Sequence, residues 1–61
     1  MDRTERFYKI HQQLENGQCV SFDRLLEACE VSRATLQRDL EYMRTRLHAP
    51  IVYDRERNGY R

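Results

Sequence analysis

A chain of 61 residues forms at most one domain and buries only about 60% of its unfolded surface, which leaves no room for an enzyme cleft walled on all sides. An apolar fraction of 39% beside 34% charged residues excludes a disordered tail and fits a small, soluble, mainly helical domain. No apolar run approaches the ~20 residues of a membrane span, and Met-Asp-Arg-Thr-Glu-Arg at the start lacks the apolar core of a secretion signal, so a cytoplasmic protein is expected.

The net charge of +1 is unevenly spread. Residues 1–31 carry four basic and six acidic groups, and residues 32–61 carry seven basic and four acidic ones, so the halves stand at −2 and +3. All seven basic residues of the second half are Arg, whose planar fork matches phosphates and guanine edges better than Lys does.

In chain order, a first helix is expected over residues 3–16. Asp2 followed by Glu5 fits a reciprocal cap, Phe7, Ile10 and Leu14 form a core stripe, and Asn16-Gly17 stops the helix. A short connection follows, extended at Cys19-Val20. Ser21 caps a second helix, Phe22–Cys29, with Val20 and Leu25 at the positions that staple across a helix start. Its apolar face is Phe22, Leu25, Leu26 and Cys29, and Cys29 is expected to be a buried, inert thiol. With only Cys19 besides, it makes no zinc site.

After a turn of about three residues, Ser32 starts a third helix with the same entry chemistry, Val31 and Leu36 now in the staple positions. Two such helices around so short a turn are a helix-turn-helix arrangement. The third helix is expected to end near Leu47 or His48, because Pro50 disfavours helix at Ala49. Leu36, Leu40, Met43 and Leu47 lie at i, i+4, i+7 and i+11 and form its core stripe. Beyond Pro50, Ile51-Val52-Tyr53 reads as a strand, residues 55–58 as a polar turn leading into Gly59, and Tyr60-Arg61 as a returning strand that sets Tyr60 opposite Tyr53. The fold expected is therefore mainly α with a small β-hairpin, a winged helix-turn-helix spanning residues 1–61. Stopping in the second strand of a hairpin points to a fragment of a longer regulator.

The face of the third helix opposite its core stripe carries Ala34, Arg38, Glu41 and Thr45, flanked by Gln37. A recognition helix presents its first turns to base edges. There Ala34 permits close approach, Arg38 suits guanine O6 and N7, and Gln37 suits adenine or a phosphate. Glu41 is the awkward member, repelled by phosphates but able to accept from cytosine N4. Ser32 is expected as a cap, at a helix end that also suits a phosphate. Arg33 and Thr35 flank the face, within reach of the DNA backbone, with a packed or locally hydrogen-bonded role as the alternative for Thr35. Asp39 lies on the wrong side for DNA and is expected in an ion pair or in helix packing. In the hairpin, Arg55 and Arg57 with Asn58 are expected beside the minor groove, where Arg is attracted to narrow A·T tracts. Arg44 and Arg46 fall at the edges of the core stripe and suit covering it.

His11 and His48 belong to different elements and have no carboxylate pair or thiol at ligand spacing, so neither a metal nor a cofactor nor catalysis is expected. The expected partner is double-stranded DNA, with no membrane contact. The competing expectation, kept open by the net charge of +1, is a winged-helix module that binds another protein.

Residues 31–47, above all Thr35-Leu36-Gln37-Arg38-Asp39-Leu40, and residues 50–61, ending in Gly59-Tyr60-Arg61, resemble the N-terminal winged helix-turn-helix of WYL-domain regulators, bacterial transcription factors with a DeoR-like DNA-binding end. The family often has Gly-Gly-Tyr-Arg in the hairpin; Asn58 replaces the first glycine here and also tolerates a positive φ. The resemblance implies sequence-specific DNA binding, usually as a homodimer, with an effector-sensing WYL domain further along a longer chain. A repressor is the expected mode.

Overall fold

The computed structural model describes residues 2–15 and 17–61. Helix α1 spans Arg3–Leu14, α2 Phe22–Cys29 and α3 Arg33–Thr45, followed by strands β1 (Tyr53–Asp54) and β2 (Gly59–Tyr60).

Each helix begins on the cap its sequence supplies. Asp2 Oδ1 accepts from the Glu5 amide at 2.9 Å, Ser21 Oγ from Arg24 at 3.1 Å, and Ser32 Oγ from Thr35 at 3.2 Å. Such a cap satisfies one of the amides left unpaired at a helix start, typically worth about 1 kcal/mol. The staple positions join one core: Val20 and Leu25 are both buried in it, and Val31 packs against the cluster that holds Leu36.

The ends of α1 and α3 differ from expectation, and that of α2 does not. Helix α1 stops at Leu14, capped by Glu15, where the Gly17 amide donates back to Leu14 O at 3.2 Å; the expected last residue, Asn16, lies outside the described residues. Helix α2 ends at Cys29, as expected, and is capped by Glu30 in the left-handed region at φ 54° and ψ 47°, with its amide on Leu26 O at 2.9 Å. That one residue reverses the chain within the turn at 30–32.

Helix α3 ends at Thr45, capped by Arg46, rather than at Leu47 or His48. The chain leaves the helical cylinder through His48, at φ 54°, and the Ala49 amide reaches back to Met43 O at 2.9 Å. Leu47 therefore falls off the stripe its spacing suggests and is 52% exposed, while Leu36, Leu40 and Met43 are buried.

Asp54 and Gly59 pair in the antiparallel hairpin, as do Tyr53 and Tyr60, the partners expected from a four-residue turn. The tyrosine rings meet edge-on at 5.1 Å. The regular strand starts at Tyr53 instead of Ile51, because Ile51 turns into the core at 7% exposure; Val52 still exchanges two 2.9 Å hydrogen bonds with Arg61. On its other edge Tyr60 exchanges bonds of 2.8 and 2.7 Å with Val20, the residue just before the cap of α2. Gly59 allows this approach: a Cβ there would lie 2.8 Å from Val20 O and 2.6 Å from Cys19 Sγ.

The core gathers Ile10, Leu25, Cys29, Leu36 and Leu40, with Val20, Met43, Ile51 and Tyr60 closing it and Phe7 and Leu14 at its margin. Burial pushes the Cys29 thiol above its ordinary pKa, with the nearby Asp39 charge adding to the effect. No helix among the described residues is long and apolar enough to cross a membrane.

Candidate nucleic-acid interface

Because α3 commits Leu36, Leu40 and Met43 to the core, geometry turns the opposite side outward. Ala34, Gln37, Arg38 and Glu41 are all exposed there. Among the described residues, the side chains of Arg38 and Gln37 make neither a hydrogen bond nor an ion pair, so their donors face solvent. Ala34 sits at the second position of the helix, where a small side chain leaves the helix end open to close approach.

Glu41 is held by Arg44 at 3.1 Å, a pair one turn apart that offsets the carboxylate's charge beside Arg38. Arg44, half-buried, thus covers the edge of the stripe and neutralises Glu41 at once. The Thr45 hydroxyl donates to Glu41 O at 2.8 Å, turning back onto its own helix.

At the start of α3 the Ser32 hydroxyl accepts from the Thr35 amide and donates to Thr35 Oγ1 at 3.1 Å. Thr35 is half-buried in that local arrangement, the alternative weighed for it. The first amides of the helix, at Arg33 and Ala34, have no acceptor within it, and the helix dipole adds partial positive charge there. Arg33 is drawn the other way: its Nη2 lies 3.0 Å from Asp23 Oδ1, and its guanidinium stands 5.3 Å from the centre of the Phe22 ring. It braces the start of α3 against the start of α2, so its charge is already partnered within the protein.

Asp39 is the one buried charged residue among those described and pairs with Arg6 of α1 at 2.6 Å, the packing role expected for it. The pairing raises the pKa of Arg6, chiefly through this hydrogen bond. It fixes the rotation of α3, since Asp39 inward means Arg38 outward.

The hairpin tip has its own internal frame. Asp54 Oδ1 accepts from the amides of Glu56 at 3.0 Å and Arg57 at 3.3 Å, an Asx turn that sets the loop. Asn58 takes the left-handed conformation at φ 53°, and the Tyr53 hydroxyl donates to its Oδ1 at 3.5 Å. Arg55 and Arg57 are exposed and have no ion pair among the described residues.

Two features escaped the sequence. One is the Arg33–Asp23 brace, which joins residues on different helices. The other is a stack in which the Arg3 guanidinium lies 3.8 Å from the centre of the Tyr42 ring and 5.4 Å from that of Phe7, the two rings being stacked 5.6 Å apart. Only the Arg3–Phe7 spacing, i and i+4 on one helix, was legible beforehand.

Three helices, the last two joined by a three-residue turn, and a hairpin after the third define a winged helix-turn-helix. A family model described as an HTH domain matches residues 6–61, and the chain belongs to that family. It is a helix-turn-helix DNA-binding domain. No curated protein and no solved structure matches it.

Proposed function

We propose that this domain reads a specific duplex DNA sequence as the DNA-binding end of a bacterial transcriptional regulator of the WYL, DeoR-like type. Helix α3 enters the major groove with Arg38 on a guanine edge and with Ala34 and Gln37 beside it, and Ser32, Arg33 and Thr35 lie nearest the phosphates. Glu41 contacts a base only by releasing Arg44. The hairpin, through Arg55, Arg57 and Asn58, lies along the adjacent backbone or minor groove. The longer protein is a cytoplasmic homodimer and acts as a repressor.

One observation carries this assignment: among the described residues Arg38 has no ion pair on the exposed face of α3, while its neighbour Asp39 is locked inward by Arg6. The pairing of Glu41 with Arg44 supports it further, because it partly offsets the charge that would most oppose DNA. The test is a salt titration of duplex binding combined with selection from a random pool. Log affinity should fall linearly with log salt, and Arg38→Ala should cost about 1–3 kcal/mol at the selected site and relax one base position. A flat salt response would sink the DNA assignment; an Arg38→Ala variant with unaltered affinity and preference would sink the role of Arg38.

A further inference from the structure

We infer that Arg3, held on the ring of Tyr42, is a DNA phosphate contact that extends the footprint of α3 onto the start of α1; this rests on the DNA assignment above. Tyr42 follows Arg38 by four positions, which puts it one turn further along and about 40° around the α3 axis, on a shared side of the helix. The Arg3 guanidinium lies 3.8 Å from the Tyr42 ring centre, a stacking distance, and Phe7 flanks both, 5.6 Å from the Tyr42 ring and 5.4 Å from the guanidinium. Stacking occupies a face of the guanidinium and leaves its N–H edge available to an anion.

Arg3 is exposed, and among the described residues no carboxylate lies within ion-pair distance of it, whereas Arg6, Arg33 and Arg44 each have one. The rings also restrict a side chain that would otherwise be free to rotate, so less ordering is required when it meets a phosphate. Arg38 and Arg3 thus form a strip of positive charge along one side of α3, one member at a base edge and the other at the backbone.

The experiment measures binding of the whole chain to a mixed-sequence duplex across a salt series, for wild type, Arg3→Gln and Arg3→Lys, with thermal unfolding of each. Arg3→Gln should lower the log–log salt slope by about 0.9, which is about an eightfold loss of affinity at 0.1 M salt. Arg3→Lys, which keeps the charge, should retain the wild-type slope. Base preference in a selected pool should be the same for all three. A folded Arg3→Gln variant with the wild-type slope would overturn the inference, as would an Arg3→Lys loss as large as that of Gln. A wild type with no salt dependence at all would instead overturn the DNA assignment itself.

Discussion

The carboxylate of Asp39 accepts from both Nε and Nη2 of Arg6, at 2.6 and 3.3 Å, and so ties α3 to α1 across 33 positions of sequence. Removing one partner of a buried pair leaves the other uncompensated, whereas replacing both with apolar groups is often neutral or better. Asp39→Ala should therefore lower the melting temperature by several degrees, and Arg6→Met with Asp39→Leu should recover most of that loss. Thermal unfolding of the three variants checks this; a double variant less stable than Asp39→Ala would contradict it.

Glu30 holds a left-handed conformation, φ 54° and ψ 47°, at the end of α2. A side chain with a Cβ is disfavoured there by roughly 1–2 kcal/mol, and glycine offsets part of this with its greater freedom in the unfolded chain. Glu30→Gly should stabilise the domain by about 0.5–1 kcal/mol, measured as a raised urea midpoint with an unchanged denaturant slope. A lowered midpoint would show that the turn depends on the Glu side chain.

Gly59 is required for a different reason, since it lacks a left-handed φ. A methyl group at this position meets the backbone of Val20, which has no flexible end to move aside. Gly59→Ala should cost about 1–3 kcal/mol and expose the Val20 and Tyr60 amides to hydrogen exchange. Unchanged protection of both amides would contradict the steric account.

The Cys29 thiol is held above its ordinary value of 9.0 by burial. Its protonated form is favoured in the folded state, so this contribution to stability is complete below the unfolded pKa and is lost as pH rises toward the folded one. Urea midpoints should fall more steeply on the alkaline side for wild type than for Cys29→Ala. Parallel alkaline profiles for the two proteins would remove Cys29 from the explanation.

The hairpin and α3 should fail in distinguishable ways. Arg55→Ala with Arg57→Ala should reduce the salt slope by about 1–2 while leaving major-groove base preference intact, since backbone contacts carry no sequence information directly. If the double variant shifted major-groove preference and kept the wild-type slope, the hairpin would be reading bases instead.

Local chemistry made much of this legible in the sequence. Ser21 and Ser32 each act within three residues of themselves, and the Tyr53–Tyr60 register follows from turn length alone. Leu47 misled because periodicity continues through a sequence even where the helix does not; α3 has ended at Thr45, so Leu47 lies past the helix and off its stripe. On the interface, the outward face of α3 followed from its buried one. The partners of Arg33 and Arg3 did not, because Asp23 and Tyr42 reach them only after the helices have packed.

Val20 grips Tyr60 through two backbone bonds of 2.8 and 2.7 Å, so the hairpin is pinned to the segment before α2 and is not a free flap. Val20 also stands just ahead of the cap of α2, so the tip carrying Arg55 and Arg57 is geared to the helix-turn-helix through a rigid joint. In the binding mode proposed above, the spacing between a base read by α3 and a phosphate met by the hairpin would thereby be a fixed gauge, and DNA with a groove of the wrong width should be refused even where its bases match.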